Sequence, residues 1–451
     1  GQAMEASDII TGYTTSNRKI DPARRRPVKP DGSPDDNDRV EIGPTALAFK
    51  AWEKAGLEAP NLEAMREFRL SRLIGELRKH DYAGLLCFDP LNIRYATDST
   101  NMQLWITHNP ARACFVSADG YIILWDYANC GHLSAHLPLV REYRTGASFF
   151  YFTAGDRVEE LAGRFAGEID EILRAHGGGN RRLAIDRIEP EGLLALRRLG
   201  IETFQGQEVT ELARAIKGPD DIRAMKCAVH SCELAMHKMQ AELRPGMTEN
   251  DLWSILHAEN IKHGGEWIET RILASGPRTN PRFQECGPRV IQEGDLVAFD
   301  TDLIGVYGMC CDISRTWLCG DVEPTAEQKR LYTAAYSQVM NNIEIIKPGM
   351  GFKEFSDTAD LASPEFRHNR YGVLAHGAGL CDEYPSLYFP EDYPATGYDG
   401  TFEPGMFVCV ESYCGAVGGR EGVKLEQQLL VTETGLEDVT SYPYEAHLIN
   451  R

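Results

Sequence analysis

No apolar run in this 451-residue sequence approaches the roughly 18 residues that a membrane-spanning helix needs, and no apolar stretch with a basic flank stands at its start. The expectation is neither a signal peptide nor a membrane span, and a cytoplasmic setting. CxxC pairs are missing as well, which removes the usual thiolate zinc site. The twelve cysteines, Cys310 and Cys311 adjacent among them, lack the regular spacing of a secreted disulfide framework and read as reduced, mostly buried small hydrophobes. Basic charge is in deficit: 47 Lys and Arg against 67 Asp and Glu give a net charge of -20. Nucleic acid and anionic membrane surfaces are excluded as partners, because both demand clustered cations to neutralise phosphate. A small cationic substrate or metal ions remain compatible.

With 43% hydrophobic and 25% charged residues the chain has the balance of a globular protein, and its length suits two domains plus extras. Residues 1–60 are polar, with Arg24 to Arg26 in a row and acidic turns at Pro34 to Asp38, and they read as an extended arm without a core of its own. From Asn61 the pattern changes. Leu70, Leu73, Ile74 and Leu77 form a helical stripe, and AGLLCFD, ARACFVS, YIILWD and RLAID alternate with helical segments, which predicts an α/β domain over 61–218. Trp105 in its polar loop NMQLWITHNP is a candidate pocket wall. Lys217-Gly218-Pro219-Asp220-Asp221 is a turn with a helix start and marks the boundary to a second domain, 219–451.

That second domain carries the chemistry. GDLVAFDTDLIGVYGMCCDISRTW predicts two strands, 296–303 and 307–318, with a turn at Gly305. Strand alternation puts Asp300 and Asp302 on one face, opposite Asp312 on the return strand. Acids gathered in a core cost several kcal/mol unless a cation compensates them. Farther on, VLAHGAGL carries His376, MFVCVES carries Glu411 and GVKLEQQLLV carries Glu426, each in a strand-like run. One such residue reads as a satisfied core polar group, but five carboxylates and an imidazole together read as a metal site. Oxygen-rich ligation with one imidazole suits Mn, Fe, Co or Zn, and two ions sharing bridging carboxylates use that many ligands.

The order Asp, Asp, His, Glu, Glu, with HGAGL, the EPGM lead-in at Glu403 to Met406 and the closing GVKLEQQLLVTETG, resembles the methionine aminopeptidase, prolidase and creatinase superfamily over Asn61 to Thr440. The resemblance implies an α/β (α+β) chain: a creatinase-like N-terminal domain, then a pita-bread metal-binding catalytic domain, in a homodimer. It implies Asp302, Asp312, His376, Glu411 and Glu426 as ligands of two metal ions, with Asp300 an additional carboxylate beside them. Two departures matter. The peptidases carry a histidine after the SG turn, which ILASGPRTNPRFQ lacks, and another after HGxGL, where this chain reads HGAGLCDEYP with Asp382 before Glu383. Both histidines that handle protons in peptide hydrolysis are gone. These substitutions resemble the dimethylsulfoniopropionate lyases of the DddP type, which implies proton abstraction by Asp382, β-elimination to dimethyl sulfide and acrylate, and iron as the metal, with Mn, Co or Zn left open by the residues. A sulfonium substrate calls for aromatic faces, and Tyr371 and Trp105 are the candidates. An Xaa-Pro dipeptidase or aminopeptidase is the enzymatic alternative, a creatinase-like amidinohydrolase leaves the carboxylates without a role, and a non-catalytic binding module predicts eroded ligands.

Overall fold

The computed structural model describes residues 10–12, 42–282 and 284–450. They fall into two compact units, Asn61–Arg214 in the first and Ile42–Pro60 with Ala215–Arg451 in the second. The expected N-terminal arm, Arg24 to Arg26 included, lies outside the described residues up to Glu41 except for the short strand Ile10–Gly12. Ala46–Ala55 form a helix closed by Gly56 at φ +73, and its buried Trp52 donates Nε1–H to Ser231 Oγ at 3.1 Å within the second unit. A polar average over sixty residues conceals one amphipathic helix of ten.

The first unit is a mixed sheet. The sequence-predicted strands appear as Gly84–Cys87, Ala113–Ser117, Ile122–Trp125 and Arg182–Ile185. Three more, Ile10–Gly12, Val140–Thr145 and Glu202–Gln205, complete it. VREYRT and ETFQ are polar and only partly buried, so hydrophobic pattern gave no sign of them. The helices Leu62–Lys79 and Val158–His176 flank the sheet in sequence, and Phe165, Trp125, Phe149 and Leu183 meet in its core. Asn61 caps the first of these, its side chain accepting from Ala64 N–H at 3.1 Å.

In the second unit a curved antiparallel sheet carries the site. Its strands are β1 Leu273–Ser275, β2 Leu296–Asp300, β3 Ser314–Leu318, β4 Ala375–Ala378, β5 Asp382–Leu387, β6 Phe407–Cys414 and β7 Val423–Val431, in the order β5-β4-β6-β7-β3-β2-β1, with Leu436–Asp438 paired to β7 as an eighth. Helices α1 Pro219–Glu242, α2 Glu249–His263 and α3 Ala326–Ile345 belong to the same unit. Leu331, Tyr332, Ala335 and Val339 of α3 pack with Val408, Val410, Leu425 and Leu429 of β6 and β7, so one face of the two long strands is apolar core. Alternation leaves the opposite face for Cys409, Glu411, Lys424, Glu426 and Gln428. The capping box expected at Thr248 and Asp251 is present, with reciprocal bonds of 3.0 and 2.9 Å.

Candidate metal centre

Cross-strand register assembles the site. Asp300 of β2 pairs with Ser314 of β3, Ser314 with Glu426 of β7, and Glu426 with Glu411 of β6. Directly paired residues on adjacent strands share a face with side chains in reach of one another, so three acids and a hydroxyl form one row across four strands. One strand farther, His376 of β4 pairs with Cys409 of β6. Its Nε2 lies 3.2 Å from Asp312 Oδ2 and 3.1 Å from both Glu411 Oε2 and Glu426 Oε2. Nδ1 of the same ring faces the Gly377 carbonyl at 2.8 Å. A carbonyl only accepts, so Nδ1 carries the proton and Nε2 is presented to the acids.

The strand prediction around the aspartates needs correcting. Two continuous strands are absent: β2 stops at Asp300, a short pairing of Leu303–Ile304 with Cys310–Cys311 follows, and a 3-10 turn at Val306–Gly308 separates them. Asp302 sits beyond β2 with φ +40, in the left-handed region that aspartate tolerates better than most residues. Period-two alternation therefore cannot have aligned Asp300 and Asp302. A backbone turn brings Asp302 to the cluster instead, where Thr270 Oγ1 donates to its Oδ2 at 2.8 Å. Tyr371 likewise lies outside any strand, in the loop before β4.

Electrostatics follow from burial. Asp300, Asp302, Asp312, Glu411 and Glu426 are all at most 6% exposed. Burial, opposed by Lys424, raises the Asp300 carboxyl to about 6, and burial with the charges of Asp300 and Glu426 raises Asp302 to about 6. Asp312 and Glu411 move up for the same reason, burial first and neighbouring acids second. Glu426 goes the other way: burial pushes it up, but Lys424 and the hydrogen bonds from His376 and Ser314 hold it near 2. Burial favours a neutral imidazole, yet Asp382 and Glu411 outweigh it and keep His376 well above its ordinary value. Apart from Glu426, these enclosed acids bind protons more readily than exposed ones do.

Lys424 is the residue that sequence reading missed. Its ammonium is 2.8 Å from Glu411 Oε1, 3.3 Å from Asp300 Oδ1, 3.3 Å from Glu426 Oε1 and 3.0 Å from Ser314 Oγ. Each glutamate thus turns one oxygen to Lys424 and the other to His376. The signal was present, because Lys424 is two residues before Glu426 and strand alternation puts both on one face. The same rule finds Cys409, two before Glu411, whose Sγ falls with ligand atoms of His376 and Glu426 in a group spanning no more than 4.8 Å.

Asp382 opens β5 at the lip of the cluster. One of its oxygens, with atoms of His376 and Asp312, lies in a second group within 4.8 Å, and Oδ1 is 3.7 Å from His376 Nδ1. Burial against the site raises its carboxyl to about 6 while His376 pulls it down. The side chain keeps 46% exposure, and water at that open edge tempers the rise. Tyr371 is a wall residue of a cavity that also reaches Asp300 and Lys424. Its ring already carries Lys424 Nζ at 4.4 Å and the Arg282 guanidinium at 5.3 Å. Trp105 belongs to the first unit, partly buried on the short helix Gln103–Ile106 with its ring edge-on to Phe152 at 6.4 Å.

A divalent ion fits the residues. Asp312 Oδ1 is buried and has no hydrogen-bond partner among the described residues, and hard oxygen donors with one imidazole are the donor set for such an ion. Residues 223–433 match the family model of Metallopeptidase family M24. The chain is 52% identical over 444 residues to dimethylsulfoniopropionate lyase DddP of Roseovarius nubinhibens, covering 97% of this chain and 99% of that protein. It is also 52% identical over 442 residues to the protein of the same name from Roseobacter denitrificans, again covering 97% and 99%. Among solved structures, an Xaa-Pro dipeptidase from Bacillus anthracis superposes with a TM-score of 0.66 at 22% identity, over 84% of this chain and 98% of that one. Likeness at that identity shows a shared fold.

Proposed function

The chain belongs to the DddP-type dimethylsulfoniopropionate lyases of the metallopeptidase M24 superfamily, and on that premise we propose how its carboxylate centre performs the cleavage to dimethyl sulfide and acrylate. The fold is the pita-bread catalytic unit preceded by a creatinase-like N-terminal unit, and we take the turn at Lys217 to Asp221 as the functional boundary between them. The peptidase reading rests on distant relatives alone, 27% identical for a probable dipeptidase PepE of Mycobacterium tuberculosis.

In this reading Asp300, Asp302, Asp312, His376, Glu411 and Glu426 hold two divalent ions, iron by preference. When bound, such ions supply positive charge that stabilises the negative charge building on the substrate's carboxylate as its α-proton leaves. Asp382 takes that proton. The C–H electron pair becomes the new carbon–carbon double bond, the bond from the β-carbon to sulfur breaks, and its electrons leave with sulfur as neutral dimethyl sulfide. Acrylate and a protonated Asp382 remain, and Asp382 returns its proton to water through its exposed side. Aspartate replaces imidazole as the base because its site is acidic and enclosed, which lifts a carboxyl toward working pH.

One observation carries the assignment: Asp382 stands beside His376 and Asp312 yet stays open to solvent, while the ligand carboxylates are closed in. Headspace detection of dimethyl sulfide from the purified protein, with elemental analysis of the same sample, tests it. Dimethyl sulfide release with bound iron and no hydrolysis of Xaa-Pro dipeptides is the expected result.

The working form is taken to be a cytoplasmic homodimer. Supporting this, no disulfide joins any of the twelve cysteines, as a reducing compartment keeps them. The first unit also presents Leu104, Tyr151 and Phe152, 61 to 78% exposed, around Trp105. Such a patch marks an association surface.

A further inference from the structure

Asp382 reaches the cluster from a bend between β4 and β5, and that bend is gripped from two sides. Gly379 N–H donates to the Cys381 carbonyl at 2.9 Å, closing the bend. After the base, Glu383 turns its enclosed carboxylate back over it: Oε1 accepts from Leu380 N–H at 3.2 Å, and Oε2 lies 3.3 Å from Lys217 Nζ. Cys310, from the short pairing after Asp302, faces the other side. Its N–H donates to the Gly379 carbonyl at 2.8 Å, and its own carbonyl accepts from Gln428 Nε2 of β7 at 3.3 Å. The backbone of Cys310 is thus fixed between the bend and the polar face of the sheet.

From that anchored position the buried Cys310 places Sγ 3.7 Å from Asp382 Oδ1. Sulfur is a large atom, so its hydrogen bonds are longer than those of a hydroxyl, and because a carboxylate only accepts, the thiol is the donor. His376 Nδ1 is equally far from Oδ1, but its proton is directed at the Gly377 carbonyl. A weak donor suits the neighbour of a base. A cation or a strong donor bonded to the carboxylate would stabilise its charge and make it a poorer proton acceptor, whereas a thiol restrains its rotation and takes little of its basicity. That restraint matters here because the Asp382 side chain is 46% exposed, with water on its open side.

We propose that Cys310 is a positioning residue for the base: its S–H holds Asp382 Oδ1 and leaves the other oxygen to take the α-proton. This rests on the lyase reading. The role needs no proton transfer by the thiol and no contact between thiol and substrate; it fixes the direction in which the carboxylate points, and orientation of a catalytic group is itself a rate factor.

Infrared spectroscopy of the metal-loaded protein reads the contact and steady-state kinetics read the role, with melting temperature and metal content determined for each variant. The S–H stretching band missing from Cys310→Ser belongs to Cys310, and it is expected to move to higher frequency in Asp382→Ala, where its acceptor is gone. Cys310→Ala is expected to lower kcat about 10-fold, short of the roughly 10²- to 10⁴-fold that a positioned base contributes in full. KM for dimethylsulfoniopropionate stays close to that of the wild type, as for an interaction that matters only during proton transfer. Cys310→Ser, which keeps a donor, recovers most of the loss. A band that Asp382→Ala leaves in place overturns the contact. A Cys310→Ala variant with wild-type kcat, or a loss that serine does not recover at equal metal content, overturns the role. A wild type that forms no dimethyl sulfide removes the lyase reading and the positioning role with it, whatever the infrared band does.

Discussion

At Lys424 a single ammonium touches three carboxylates, and what happens when it is removed follows from that geometry. Truncating one partner of a buried ionic cluster costs about 3–5 kcal/mol, because the charges left behind lose their compensation. Lys424→Met is therefore expected to lower the melting temperature of the metal-free protein by several degrees, and less so once metal is added. Thermal melts with and without metal measure this, and equal melting of variant and wild type would show that the acids are neutralised by protons alone. Asp382 gives a kinetic prediction. Asp382→Ala keeps metal content and fold but loses about 10²- to 10⁴-fold in turnover, the usual contribution of a positioned base. The sign of the pH dependence is fixed by its role. A base works only when unprotonated, so turnover falls as pH drops through its pKa, which burial sets at about 6 in the protein without metal. Cations held beside it pull that value down, so the acid limb of the pH–rate profile of the loaded enzyme is expected below about pH 6.

The strands impose their own constraints. Gly377 lies between His376 and the close approach of β4 to β5, and a Cβ there would meet the Tyr384 carbonyl oxygen at 2.3 Å and its carbon at 2.7 Å. Both are backbone atoms that cannot swing aside. Gly377→Ala must part β4 from β5, and so His376 from Asp382. A destabilisation of about 1–3 kcal/mol is expected from such overpacking, with turnover falling more than metal content. Activity retained alongside normal melting would show that the β4–β5 spacing is not what places the base. Ser314 acts on the neighbouring pair of strands, donating to Asp300 Oδ1 at 2.7 Å and lying 2.8 Å from Glu426 Oε1. It is one of the residues sequence pattern passed over, because a serine in SRTW carries no charge signal. Its place in the row exists only once β2, β3 and β7 are in register.

For the molecule as a whole, folding gathers these acids into a buried cluster with the donor set of a divalent-ion site. An ion that binds only the folded state stabilises it by about 4 kcal/mol at a thousandfold excess over its Kd. Chelation is accordingly expected to lower the melting temperature and to abolish dimethyl sulfide release, and re-addition of divalent metal to restore both. His376→Ala or Asp312→Ala should behave like the chelated protein in elemental analysis; full metal content in either would remove it from the ligand set. Residue type and period-two facing are local properties, which is why the order Asp, Asp, His, Glu, Glu and the replacement of histidine by Asp382 were readable from the chain itself, and why Lys424 and Cys409 were readable in principle. The turn that carries Asp302, the single row joining Asp300, Ser314, Glu426 and Glu411, the two polar strands of the first unit and the meeting of Arg282 with Tyr371 were decided by the tertiary structure. Each depends on backbone conformation or on pairing between segments distant in sequence, and neither is encoded in the periodicity of any one segment.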